Sequence, residues 1–359
     1  MARATESRPG VLELEVEVEG LTERALAYPA LTGPAAVGDT VVLNTTAGAL
    51  GLGTGGWHFV VAVEGQDDLD PPAAGHVMKL RYTPLQAKVQ AVEEQGGPDR
   101  SAFDSADGLD GTPVVWVPLH SMLGAACAGA VAAGAERVVH VMTDGAALPA
   151  WFSRLLADLR EAGLIHAVVT AGQAFGGDLE AVNVFSGLLA ARSVAGADAI
   201  VVADGPGKVG TATRWGASDV GSGTALNAVG ILGGRPVAAL RLNFADPSYR
   251  HHGVSPHSVT VLSEVALLPV HVAVPVLDDE RRSVVWDALK EAGLEERHQL
   301  VEVTGQPAID LLAERRVTAE TMGRSLEEEP AFFMAAGAAG VLAGRMASGD
   351  ANWRTEVER

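Results

Sequence analysis

The segment Asn243-Phe244-Ala245-Asp246-Pro247-Ser248-Tyr249-Arg250-His251-His252-Gly253-Val254-Ser255-Pro256-His257 gathers a guanidinium, three imidazoles and a carboxylate in one short stretch. Ser255 followed by Pro256 has the pattern of a helix N-cap and first helical residue, since the hydroxyl accepts from a backbone N–H and the fixed φ of proline suits the first turn. A helix start beside Arg250 and His251 offers N–H donors and positive charge together, which a phosphate or carboxylate requires. His252, His257 and Asp246 are then candidates for acid–base catalysis, while Asn243, Arg250, His251 and Ser255 would hold the substrate. The same histidines with Asp246 and Asp204 have the donor types for zinc, iron or manganese. No spacing matches a defined motif such as HExxH, so no resident metal is expected.

A second cluster is Ala199-Ile-Val-Val-Ala-Asp204-Gly-Pro-Gly-Lys208-Val-Gly-Thr211-Ala-Thr213-Arg214. Gly205, Gly207 and Gly210 have the G-x-G-x-x-G spacing of dinucleotide folds. Pro206 removes one backbone donor, the motif follows a late strand, and no acidic residue comes at the ribose-binding distance of ~20 residues. A Rossmann-type dinucleotide is therefore not expected, and the P-loop pattern is also unmet. Lys208, Thr211 and Arg214 remain as an anion-cradling loop.

These residues have to be positioned by strands and helices. One joint recurs: VAAGAERVVHVM, LREAGLIHAVVT, SVAGADAIVVAD, ILGGRPVAALRL and KEAGLEERHQLVEV each run from a helix end through glycine into an apolar strand. Gly134, Gly163, Gly196, Gly233 and Gly293 suit the left-handed C-cap position. Repeated units of this kind imply a mostly parallel, doubly wound sheet of about seven strands, with an eight-stranded barrel as the alternative. Ligands bind such sheets at the carboxyl ends of the strands, where this chain offers His120, Thr143 and Asp144, Thr170 and Gln173, Asp204 and Lys208, then Asn243 and Asp246. Thr143 and Asp144 serve equally well as caps of the following helix.

Upstream, Leu12, Leu14, Val16 and Val18 alternate with glutamates, the period of a half-buried strand. Further strands are expected at Thr40–Leu43, Trp57–Val63 and His76–Tyr82. Residues 1–92 thus read as a small β sheet or barrel domain, 93–113 as a polar linker, and 114–359 as the α/β domain with a closing C-terminal helix. The glycine-rich stretch Asn44–Gly56, with Thr54 before Trp57 and His58, suits close backbone approach to a ligand or serves as a surface loop.

Composition bounds the partners. The chain has 359 residues, 48% hydrophobic and 20% charged, with a net charge of −19. So acidic a surface repels nucleic acid and anionic lipid, and neither is an expected partner. The N-terminus carries no apolar leader pattern, the run Met122–Ala135 is too short to span a bilayer, and the single cysteine, Cys127, can form no intrachain disulfide. A cytoplasmic location is expected.

The GLGTGG loop at Gly51–Gly56, the GPGKVGTATRWG segment and the RHHGVSPHS segment together resemble a bacterial family catalogued as a domain of unknown function, DUF3866, across the whole chain. That resemblance implies a shared architecture and a cytosolic location, and no catalytic assignment. The residues themselves suggest an enzyme, a transferase or hydrolase, acting on a small anionic metabolite in an interdomain crevice. A non-catalytic ligand-binding or regulatory protein and an interaction scaffold are the alternatives, and a homo-oligomer is compatible with each.

Overall fold

The computed structural model describes residues 3–51, 55–66, 69, 74–245 and 252–353. It divides into two units, Met1–Ala91 and Val92–Arg359. Asp246, Arg250, His251 and Thr54 lie outside the described residues.

In the first unit five strands form one sheet: β1 (Arg3–Arg8), β2 (Val11–Val18), β3 (Leu21–Ala27), β4 (Val41–Asn44) and β5 (Trp57–Val63), in the order β1-β2-β3-β5-β4. The alternation in β2 buries Leu14 and Val16 against Ala25, Ala27, Val60 and Val63. The sheet is open, which corrects the barrel alternative. β1 and β4 each have a single partner, and the four-residue β4, irregular between Val42 and Leu43, stays an edge. The strand expected over His76–Tyr82 shrinks to Val77–Lys79, paired with Ala87–Val89, because Leu80 and Tyr82 take positive φ and turn the chain.

The second unit is built on eight parallel strands: β6 (Pro113–Trp116), β7 (Val138–Thr143), β8 (Ala167–Ala171), β9 (Leu179–Ala181), β10 (Ala199–Asp204), β11 (Arg235–Ala239), β12 (His271–Pro275) and β13 (Gln299–Val303). Their order is β9-β8-β7-β10-β6-β11-β12-β13, an open sheet rather than a closed barrel. The strand that sequence periodicity passes over is β9. It is three residues long and follows β8 through a short loop, without an intervening helix.

Helices α1 (Leu123–Ala132), α2 (Arg154–Glu161), α7 (Gln306–Glu314) and α8 (Pro330–Ala347) cover one face, their apolar residues forming a single core with alternate strand residues. Helices α3 (Val184–Ser193), α4 (Ala225–Ile231) and α6 (Asp279–Glu291) cover the other, while α5 (Pro256–Thr260) precedes β12. All five joint glycines have positive φ, between +64° and +101°. The Ala/Gly richness of α1 and α8 has a packing cause. A Cβ on Gly340 would lie 2.0 Å from Ala126 O, and one on Gly129 would lie 2.4 Å from Gly337 O, so these helices touch backbone to backbone. Among the described residues α8 alone is long and apolar enough to cross a membrane, and 78% of it is buried in the protein.

The polar stretch 93–113, expected as a linker, is fastened to the larger unit. Leu109 is fully buried in the core beneath α3 and α4, Leu109 N donates to Leu232 O at 2.8 Å, and Glu93 accepts from Val182 N at 2.8 Å. One buried leucine and a few backbone bonds anchor a segment that composition reads as solvent-exposed.

Strand order also sets where the candidate residues gather. The chain leaves β7 toward β8 on one side, whereas it leaves β10 toward β11 on the other side of β6. The chain therefore leaves the carboxyl ends of neighbouring β7 and β10 in opposite directions, a topological switch point of the kind where ligands bind in open α/β sheets.

Candidate functional site

At that switch point stands Asp204, the last residue of β10 and only 1% exposed. Its Oδ1 accepts from Thr143 Oγ1 at 2.6 Å and from Gly145 N at 3.1 Å, both at the end of β7. Its Oδ2 is ion-paired with Lys208 Nζ at 3.3 Å and has no other partner among the described residues. Glycine is required at position 145 for this fit, because a Cβ there would come within 2.6 Å of the carboxylate. Gly205 meets a similar demand at the residue after Asp204, where a Cβ would lie 2.3 Å from Ala147 O.

Lys208 reaches back from the glycine loop, four residues after Asp204, with its side chain 9% exposed. Nζ donates to Ser222 Oγ at 3.4 Å. Ser222 also accepts from Trp116 Nε1 at 3.1 Å and donates to Asp219 O at 3.2 Å, so it is a fixed partner rather than a rotating hydroxyl. Burial pushes the Lys208 amine below the usual lysine range. The Asp204 and Asp219 carboxylates push it back up, and the Arg241 guanidinium adds to the lowering.

On the other side of Asp204 sits His120, immediately before α1. Its Nδ1 is 3.0 Å from Asp204 O and its Nε2 is 2.7 Å from Ser153 Oγ. A carbonyl can only accept, so Nδ1 carries the proton, and in the neutral ring Nε2 accepts from the Ser153 hydroxyl. Ser153 is at once the N-cap of α2, accepting from Leu156 N at 3.2 Å. Burial pushes the His120 pKa down to about 4, against the raising effect of the Asp204 bond. His140 stands behind it in β7, with ring centroids 6.1 Å apart. Its Nδ1 bonds Val201 O at 2.9 Å, its Nε2 has no partner among the described residues, and burial lowers its pKa to about 3. Two neutral imidazoles thus adjoin the Asp204–Lys208 pair.

The structure joins three of the expected residues, His120, Asp204 and Lys208, with Thr143 in one hydrogen-bonded cluster. Others meet in a second group above the following strands. His257 Nε2 donates to Thr213 O at 3.0 Å, Arg214 pairs with Glu264 at 2.5 Å, and Thr211 Oγ1 donates to Gly216 O at 3.1 Å. Ser255 caps α5 by accepting from His257 N at 3.3 Å, as its place before Pro256 implies. These contacts pin the glycine loop to the helix that follows β11, and they occupy His257 and Arg214 structurally. His252 is exposed and packs edge-on to Phe244 at 5.0 Å. Asn243 is buried in a two-residue pairing with Gly253.

Two of the strand-end polar residues prove to be structural. Asp144 accepts from Gln173 N at 2.7 Å across to the end of β8, in place of the helix-capping role it also suited. Thr170 donates to the buried Glu180 at 2.8 Å. In the first unit, His58 pairs with Glu23 and fills the space over Gly48, while Arg24 donates to Gly55 O at 2.7 Å. Both ends of that glycine stretch are therefore tied to the sheet.

Sequence reasoning gave no site role to Ser153, Ser222, Asp219, Arg241, His140 or Glu329. Glu329 lies just before α8 and accepts from Phe244 N at 3.0 Å and Ala245 N at 3.0 Å, fixing the start of the histidine segment from 85 and 84 residues away. Only Ser153 had a local signal, since a serine preceding an amphipathic helix is an N-cap.

A family model matches residues 24–340, essentially the whole chain. The chain belongs to the family described as Protein of unknown function (DUF3866). No curated protein and no solved structure matches it. The family description carries no activity, so the functional reading rests on the geometry around Asp204.

Proposed function

We propose that this protein is a cytoplasmic enzyme, a transferase or hydrolase, that acts on a small phosphorylated or carboxylated metabolite at the carboxyl ends of β7 and β10. The observation that carries this reading is the buried Lys208–Asp204 pair at the switch point. A buried ion pair is a poor device for stability, because well-packed apolar residues of similar volume serve as well or better. Its place at a strand end, under a glycine loop, fits a role in binding and proton transfer.

In this reading Lys208 and Arg241 supply positive charge in a chain of net −19, and Asp204 exchanges protons with the substrate. Arg250 and His251 contribute charge from the histidine segment, with His252 and Asp246 as its acid–base groups, while His257, its ring bonded to Thr213 O, holds the loop. Neither a dinucleotide nor a metal is required, and nucleic acid and membranes are not partners.

The test is a thermal-shift screen of phosphorylated and carboxylated metabolites against neutral analogues, since a ligand that binds only the native state raises its stability by mass action. The expected outcome is stabilisation by anions alone, lost in Lys208→Met. Equal stabilisation by neutral analogues, or an unchanged anion response in Lys208→Met, overturns the reading. Stabilisation without turnover of any stabilising compound would make the protein a binding module.

A further inference from the structure

We infer that Lys208 is a nucleophile that captures a carbonyl-bearing anion, its Nζ forming an imine with the carbonyl carbon while Asp204 carries the proton. The inference rests on the site proposed above and specifies its substrate as an aldehyde or ketone that also bears a carboxylate or phosphate. Three observations converge on it.

The first is the geometry of the carboxylate. Asp204 Oδ1 is saturated by Thr143 and Gly145, whereas Oδ2 faces Nζ at 3.3 Å and has no other partner among the described residues. The one oxygen of Asp204 free to take a proton is therefore the one beside the amine. Among the described residues Nζ has two partners, the Asp204 carboxylate and the Ser222 hydroxyl, which orient it.

The second is residue choice. Only four of the 26 Lys and Arg residues are lysines: Lys79, Lys88, Lys208 and Lys290. Holding a carboxylate or phosphate is the work of a guanidinium fork, which this chain uses almost everywhere else. What arginine cannot do is lose a proton and attack carbon.

The third is burial. Taking the amine out of water favours its neutral form, the form with a lone pair to donate.

The step balances without a co-reactant. Lys208 passes a proton to Asp204 Oδ2, and the neutral Nζ attacks the carbonyl carbon. A C–N bond forms as the C=O double bond opens to a carbinolamine. Asp204 returns its proton to the carbinolamine hydroxyl, the C–O bond breaks, and water leaves. The product is a protonated imine on Nζ, whose positive charge again faces the Asp204 carboxylate.

Reductive trapping tests this directly. The full-length protein is incubated with glyoxylate, pyruvate or dihydroxyacetone phosphate and cyanoborohydride, and the modified lysine is located by peptide mass spectrometry. The expected result is a single reduced adduct on Lys208 with at least one probe, abolished in Lys208→Arg and unchanged in Lys290→Arg. In Asp204→Asn, trapping should slow by on the order of 10²-fold, the usual contribution of a positioned acid–base group. No adduct on Lys208 with any of the three probes overturns the inference, as does labelling spread evenly over Lys88, Lys208 and Lys290. If anions stabilise the protein while trapping fails, the imine alone is lost and the anion site stands.

Discussion

Gly145 N donates to Asp204 Oδ1 at 3.1 Å, and the missing Gly145 side chain is what lets the Asp204 carboxylate lie against β7. Residues 59 apart in sequence are locked together where two strands diverge. The carboxylate is thereby held with one oxygen occupied and the other turned to Lys208.

Gly145→Ala puts a carbon 2.6 Å from Asp204 Oδ2, so the carboxylate or the β7 end must move. Overpacking of this kind costs about 1–3 kcal/mol. Urea denaturation should show that loss together with a weakened anion response in the thermal-shift assay. A variant as stable as the parent and equally responsive would show that the contact is loose.

Stability should fall as pH drops from about 6.5 toward about 4. The folded-state pKa values of His120 and His140 are lowered to about 4 and about 3, whereas the unfolded chain titrates at the ordinary 6.5. Between those limits the unfolded state binds more protons, which favours unfolding as pH falls, and the stability they contribute is intact above 6.5. Each histidine adds a slope of up to about 1.4 kcal/mol per pH unit. Denaturant midpoints across this range measure it, and His120→Asn, which cannot titrate, should remove the His120 share and leave those of His140 and of His298, whose pKa burial also lowers.

Ser153 serves two bonds at once, the cap of α2 and the proton donated to His120 Nε2. Ser153→Ala should cost about 1–2 kcal/mol for the cap, and about 1–3 kcal/mol more for a buried imidazole nitrogen left unpaired. Ser153→Thr keeps the hydroxyl and should recover most of it. A loss limited to the cap, seen by chemical denaturation, would show that the His120 bond contributes nothing.

The candidate site was legible only in pieces. His120, Thr143, Asp204 and Lys208 could each be placed at a strand end, because apolar strands bounded by glycine joints show where a strand stops. Their mutual contacts could not be read. Thr143 reaches Asp204 only because β10 inserts between β6 and β7, an order that no local pattern encodes. The histidine segment drew attention by composition, yet His257 spends its ring on Thr213 O, a partner 44 residues away.

What the sequence by itself determined is the set of elements. Period-two glutamates specify β2, glycine C-caps specify the ends of five helices, and Ser255 and Pro256 specify the start of α5. These are short-range effects, governed by φ, hydrogen bonding and burial within a few residues. Tertiary structure alone decided the open edge of the small sheet, the anchoring of 93–113 by Leu109, and the strand order that sets β7 beside β10. It also decided the electrostatic surroundings of Lys208. Whether a lysine is an ordinary cation or a buried amine 3.3 Å from a carboxylate depends on what the fold packs around it, because desolvation and pairing are properties of three-dimensional neighbours and not of residue type.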